Sequence, residues 1–216
     1  MKTIFTTSFH PSISRNIIGS GIIPELVRKG NVRVVVFVPS YKKNFFEKYH
    51  SRPNVIFEGI EGDFSRRSKR LLFFKRFGEG MLASKKVSLQ MRRAFSGERR
   101  SLKSFLFLAL PAAIISRWQI FHTLFRFLDN AISPQGFFDE AIKKYKPDLI
   151  FTTDIQNEND VALMRDGKRH GIPIVGMVRS WDNLTSRALR FIPETIFAHN
   201  EIIKKEAKKY HAIPLE

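Results

Sequence analysis

The chain contains no cysteine. That excludes disulfides and thiolate chemistry, and it suits a reducing compartment. A glycine-rich phosphate loop is also missing. Gly19-Ser20-Gly21 falls inside the expected first helix, not between a strand and a helix, so there is no dinucleotide fingerprint. No pair among the six histidines has metal-ligand spacing, which predicts no structural metal. There is no G-x-S-x-G nucleophile elbow. Met1-Lys2-Thr3-Ile4-Phe5 runs straight into strand-like text, without the apolar core and small-residue cleavage site of a signal peptide. Residues 105–115 are apolar but hold Pro111. They are too few to span a bilayer, which takes about 20 residues.

Acidic residues are scarce as well. Asp and Glu number 20 against 37 Lys and Arg, for a formal net charge of +17 over 216 residues. The excess is uneven. From Phe64 to Lys103 there are thirteen Lys/Arg and two Asp/Glu, a net of +11. Such a block seeks phosphate, on nucleic acid or on anionic lipid. Hydrophobic content of 43% supports a real core and argues against disorder.

Two stretches of alternating pattern flank this block. Strands are expected near residues 3–8, 32–38 and 54–57, and again near 148–153, 173–178 and 195–199. Helices are expected between them: one from Ser12 or Ser14 to Lys29, then 42–50, 137–146, 161–170 and 201–210. The run 32–38 is apolar except for Arg33, as in a strand covered on both faces. The alternation predicts an α/β fold: a Rossmann-like parallel sheet with helices on both faces. One such domain is expected over 1–216, interrupted by an all-helical, basic insertion at about 64–130.

The insertion interleaves Arg66, Arg67, Lys69, Arg70, Lys75 and Arg76 with Leu71, Leu72, Phe73, Phe74 and Phe77. Further pairs, Arg92-Arg93 and Arg99-Arg100, follow at its expected turns. Cations attract anionic headgroups while aromatics enter the interface, so an anionic membrane surface is the expected partner. The membrane-binding residues would be those six cations with Phe73, Phe74 and Phe77. The charge also permits nucleic acid, but no recognised nucleic-acid motif is present, and the polar strand ends would go unexplained.

In parallel α/β sheets, ligands bind beyond the carboxyl ends of the strands. There the sequence offers a ring of polar residues. The first strand is followed by His10, with Arg15 and Asn16 a turn later. Asp154, Gln156 and Asn157 follow another strand. Trp181, Asp182, Asn183 and Thr185 follow the next, and His199 and Asn200 the last. Four such loops at one edge point to a cleft for a polar ligand. His10 is the candidate general base by type, since imidazole titrates near neutrality. Each residue also has a plainer reading. His10, Asp154 and Asn200 could cap helices, Trp181 could plug the sheet end, and Asp182 could cap a helix starting near Leu184.

Four stretches together resemble a known family: Phe9-His10-Pro11 with Arg15-Asn16, Lys146-Pro147-Asp148-Leu149-Ile150, Ser180-Trp181-Asp182-Asn183-Leu184-Thr185, and His199-Asn200-Glu201 leading to His211-Ala212-Ile213-Pro214. They are similar to the N-terminal, acceptor-side half of GT-B glycosyltransferases, in particular bacterial cell-surface carbohydrate enzymes related to the CDP-glycerol glycerophosphotransferases. The resemblance implies an acceptor-binding Rossmann-like domain of cell-envelope polysaccharide or glycolipid synthesis, working on a lipid-linked or membrane-bound acceptor. It implies a cytoplasmic protein, peripheral at the inner face of the membrane. The donor, a nucleotide-sugar or CDP-linked group, would be held by a C-terminal domain for which this chain has no counterpart. The chain itself would hold no cofactor and would transfer nothing without a separate donor-binding domain or subunit. A sugar-nucleotide 2-epimerase-like fragment shares the architecture and stands as the alternative.

Overall fold

A computed structural model describes residues 1–82, 84, 114 and 118–213. The expected turns at Arg92-Arg93 and Arg99-Arg100, the apolar run 105–115 apart from Ile114, and Pro214 lie outside the described residues. The backbone forms two compact units. The first comprises Met1–Phe64, Gln135–Arg179 and Pro193–Phe197, and the second Ser65–Pro134, Ser180–Ile192 and Ala198–Glu216.

The first unit is an α/β layer structure around six parallel strands: β1 (Lys2–Thr7), β2 (Val32–Pro39), β3 (Val55–Ile60), β4 (Leu149–Thr152), β5 (Ile174–Met177) and β6 (Thr195–Phe197). Their spatial order is β3-β2-β1-β4-β5-β6, and every neighbouring pair is parallel. The chain thus works outward from β1 to one edge, returns, and works outward to the other. That reversal puts a topological switch point between β1 and β4.

β2 is buried from Val34 to Val38, as expected for a strand covered on both faces. Arg33 escapes the apolar layer by hydrogen bonding to Thr3 Oγ1 at 2.8 Å and to the Tyr145 carbonyl at 2.9 Å. On one side of the sheet Phe37 meets Phe5 and Phe138 edge-to-face, each with ring centroids 5.0 Å apart. On the other, Val34, Val36 and Val38 pack with Ile13, Ile17, Ile18, Ile23 and Phe46. Burying each such side chain contributes about 1.5–3 kcal/mol.

The first crossover differs from the expected single helix. It consists of a helical turn α1 (Pro11–Ile13), a π-helical turn Ser14–Ile18, a break, and then α2 (Ile22–Lys29). Gly19 and Gly21 have weak helix propensity, and Ser20 Oγ accepts from the Ile22 N–H, which stabilises the break. β3 is longer than expected because Gly59 lets its backbone pass close to Ser40, where a Cβ would lie 3.1 Å from Cα. α3 (Lys43–His50) and α6 (Asp139–Tyr145) flank the sheet. α7 (Glu158–Arg169) starts three residues before its expected position. Asn157 caps it by accepting from the Asn159 N–H, so the polar run 157–160 is a cap and a first turn, not a loop. Gly171, at φ +69°, ends it.

The second unit contains α4 (Lys69–Gly80), α5 (Gln119–Ile132) and α8 (Glu201–His211), with a short 3₁₀ turn at Asn183–Thr185. Its core joins Phe74, Met81, Leu82, Phe125 and Ala188. Phe74 is only 6% exposed and lies against Phe125, with Phe77 stacked on the same ring. The expectation that Phe74 faces a membrane is therefore overturned: its ring closes the core of this unit. Phe77 is part of the same packing, whereas Phe73 is exposed. Asp129 and Arg190 form a buried ion pair at 2.7 Å.

Gly176 in β5 has no room for a side chain. A Cβ would lie 2.4 Å from Ile155 Cγ2 and 2.7 Å from Pro193 Cγ. Gly176→Val is expected to cost roughly 1–3 kcal/mol by overpacking. Urea unfolding of the two proteins, compared at equal m-values, measures it.

Candidate functional site

All six strands run the same way, so their carboxyl ends share one edge of the first unit. At the switch point, β1 ends in Thr7 and β4 is followed by Thr153. The Thr7 hydroxyl donates to the carboxylate of Asp160 and accepts the Thr153 N–H at 3.2 Å. The Thr153 hydroxyl in turn donates to the Thr7 carbonyl at 3.0 Å. β1, β4 and the first turn of α7 are tied together at one side chain. Burial pushes the Asp160 carboxyl well above the usual carboxylate range, and the charge of Asp154 adds to this, against the opposing Thr7 hydrogen bond. Asp160 is thus biased towards the neutral acid.

Above this node lies Asp154, almost fully buried. One carboxylate oxygen accepts the Gln156 N–H at 3.1 Å, the other the Arg179 guanidinium at 2.7 Å. The expected capping role of Asp154 is thus a two-residue Asx turn, and its second oxygen holds Arg179. His10 stands at the first position before α1. Its Nδ1 accepts the Ser12 N–H at 3.2 Å. Burial lowers its pKa from the ordinary 6.5, and the nearby Arg179 charge lowers it further while Asp154 opposes. The neutral ring is therefore favoured, and with Nδ1 occupied its proton sits on Nε2. His10 presents a hydrogen-bond donor, and the Ser12 bond occupies the lone pair that a general base would use.

His10, Asp154 and Arg179 are within electrostatic reach of one another. Ser8 and Ser14 line the same turn, with hydroxyls 2.9 Å apart. Arg15 and Asn16 are exposed on the π-helical turn and bonded to each other at 3.1 Å. The cluster offers a neutral N–H, a guanidinium anchored by a carboxylate, and the partly exposed Ser14 hydroxyl, with the buried Ser8 behind it. Such a set is chemically suited to hydrogen bonding with an oxygen-rich ligand.

The remaining expected residues belong to the second unit. Trp181 does not plug a sheet end: its side chain is 74% exposed. Asp182 precedes the 3₁₀ turn but makes no side-chain cap. Its carboxylate accepts instead from the Ser180 hydroxyl at 2.7 Å. Asn183 is buried, and the Thr185 hydroxyl donates to the Asp182 carbonyl at 3.1 Å. Asn200 caps α8 by accepting from the Ile203 N–H at 3.0 Å, and His199 is exposed.

The loop after Trp181 is fastened by His211, which the sequence reading placed only in a motif. Its Nε2 donates to the Leu184 carbonyl at 2.7 Å, and its Nδ1 accepts the Leu189 N–H at 3.3 Å. Burial lowers its pKa from 6.5 to about 3, with the charges of His122 and Arg126 assisting against the Leu184 bond.

Arg179, Thr7, Thr153 and Asp160 were not among the expected site residues. The available signal was position: Thr7 and Thr153 end the two strands that flank the switch point. Among the described residues no cluster of His, Asp and Glu could hold a metal ion. Among the same residues no helix is long and apolar enough to cross a membrane. No protein-family model matches the chain, and no curated protein matches it either.

Two titrations test these assignments. The His10 Hε1 resonance is expected to titrate with a midpoint below 6.5, and Arg179→Gln is expected to move it upward, because a repelling charge is gone. His211 binds fewer protons folded than unfolded. Its contribution to stability is complete above pH 6.5 and is lost progressively as pH falls towards 3. Denaturant melts across that range are expected to show this slope, flattened in His211→Gln.

Proposed function

We propose that the first unit is the acceptor-binding half of a GT-B-type glycosyltransferase or glycerophosphotransferase-like enzyme of cell-envelope polysaccharide or glycolipid synthesis. One observation carries the reading. The β1–β4 switch point holds the polar His10–Asp154–Arg179 cluster where a dinucleotide-binding sheet would carry a glycine-rich turn. A site with hydroxyls, a neutral imidazole N–H and a carboxylate-anchored guanidinium suits the hydroxyls of a sugar or polyol better than a pyrophosphate, which prefers a helix N-terminus approached through glycines. The four sequence stretches described above support the same assignment.

In this reading an acceptor hydroxyl lies over His10 and Arg179. His10 Nε2–H donates to an acceptor oxygen, and Arg179, fixed by Asp154, fixes a second one. The acceptor oxygen forms the new bond as the bond between the transferred group and its nucleotide breaks; the nucleotide leaves with that bond's electron pair, and the acceptor's hydroxyl proton passes to a phosphate oxygen of the leaving nucleotide or to water. For His10 to take that proton, its Nδ1 must first release the Ser12 N–H. Binding and orientation are therefore its first task, and orientation alone supplies a large share of the rate enhancement in such transfers. The nucleotide-sugar or CDP-linked donor is supplied by a donor-binding domain or partner. The protein works at the cytoplasmic face of the membrane, where a lipid-linked acceptor is presented.

Calorimetric titration tests this directly, using a water-soluble short-chain prenyl-diphosphate disaccharide against CDP-glycerol and a UDP-sugar. The saccharide is expected to bind and the nucleotides are not. Asp154→Ala frees Arg179 and is expected to weaken saccharide binding about tenfold or more, the scale of one charge-assisted hydrogen bond. Nucleotide binding that depends on Asp154 would overturn the acceptor assignment and favour the epimerase-like alternative.

A further inference from the structure

α5 faces the wrong way for a helix of a water-bathed domain. Its inward side carries His122, Phe125 and Asp129, all buried. Its outward side carries Ile120, Leu124, Phe127, Leu128 and Ile132, with Ile120 73% and Phe127 67% exposed. At 100° per residue these five fall on one stripe, opposite Asp129. No Lys, Arg, Asp or Glu interrupts the stripe. Trp118, also exposed, stands just before the helix and stacks on Phe121.

The helix cannot roll to hide this stripe. Asp129 accepts two bonds from the Arg190 guanidinium, at 2.7 and 2.9 Å, and one from the Ser133 hydroxyl at 2.6 Å. Arg126 donates to the His211 carbonyl at 3.1 Å. Rolling would strip a buried ion pair of its partner. A contiguous exposed apolar surface fixed in this way marks an interaction site.

The charge of the same unit selects the occupant. Arg66, Arg67, Lys69, Arg70 and Arg76 are exposed on and just before α4, which packs on α5 through Phe74 and Phe77 against Phe125. The exposed ring of Phe73 lies beside them. A second copy of a chain carrying +17 is repelled at short range. An anionic bilayer is attracted, and its acyl boundary accepts the stripe.

We propose that α5 lies in the headgroup–acyl boundary of an anionic membrane, parallel to its surface, with the stripe from Ile120 to Ile132 buried and the α4 cations on lipid phosphates. Its fourteen residues span ~21 Å, enough to lie along the surface and too short to cross. Trp118 sits at the level such amphipathic rings favour. The membrane-embedded residues expected on α4 thus move to α5, and α4 retains the electrostatic part. The proposal does not depend on the transferase reading.

The chain has two tryptophans, so Trp181→Phe leaves Trp118 as the reporter. The full chain is mixed with vesicles of roughly equimolar phosphatidylcholine and phosphatidylglycerol, or of phosphatidylcholine alone. Expected are a blue shift of Trp118 emission, quenching by shallowly brominated lipids, and about tenfold or more weaker partition on neutral vesicles. Leu124→Ser with Phe127→Ser is expected to cut partition about tenfold or more at unchanged circular dichroism and melting. Asp154→Ala is expected to leave it unchanged, which separates this surface from the acceptor site. The proposal is overturned if anionic vesicles never shift Trp118, or if the double variant partitions like its parent. It is equally overturned if sedimentation without lipid shows a dimer that the double variant abolishes, because a second copy then occupies the stripe.

Discussion

The hydroxyl of Thr7 joins the last residue of β1, the first residue beyond β4 and the first turn of α7. Everything that reads as a site in the first unit is built on that junction. A parallel sheet splays apart where its chain direction reverses, and a splayed edge is a crevice. Here the edge between β1 and β4 is pinned by three buried side chains, Thr7, Thr153 and Asp160, and close to them lies a carboxylate, Asp154, that is itself committed to Arg179. Removing the Thr7 hydroxyl would leave Asp160 buried with one fewer donor, a loss of about 1–3 kcal/mol for the unsatisfied group. The floor of the site and the stability of the sheet are the same interaction.

The second unit follows a different logic. Its core is aromatic, with Phe74 and Phe77 both against Phe125, and its polar groups are placed inside as locks. Asp129 with Arg190 orients α5, and His211 between Leu184 and Leu189 fastens the loop that follows Trp181. Buried ion pairs and buried imidazoles add little net stability compared with apolar packing, but each penalises alternatives heavily. What they specify here is orientation. α5 is held with its apolar stripe outward, and residues 183–189 are held in one conformation.

The sheet was legible in the sequence. Runs such as 32–38 are β-branched, and all six expected strands are present, with β3 the one whose end was placed well short. Gly59 explains that miss: a close backbone approach is invisible until the neighbouring Ser40 is known. The polar residues after β1 and β4 were also legible, because a parallel sheet sends all strand ends to one edge. Arg179 was not, since its role follows from Asp154, twenty-five residues away. His10 was read by type as a base, and only the bond from the Ser12 N–H shows which nitrogen carries the proton. The same limit applied to α4 and α5. Amphipathic spacing gives the stripe of a helix but not which side turns inward, and Phe74 and Ile120 were decided by Phe125 and Arg190.

The central claim is that the β1–β4 edge of the first unit is where a polar acceptor binds. Amide shift mapping of the ¹⁵N-labelled chain, titrated with the short-chain prenyl-diphosphate disaccharide, tests it most directly. The largest changes are expected at Thr7–Ser14, Thr153–Asn157 and Arg179, saturating with one affinity. Changes confined to the far end of the strands, around Asn31, Asp148 and Pro173, would contradict it.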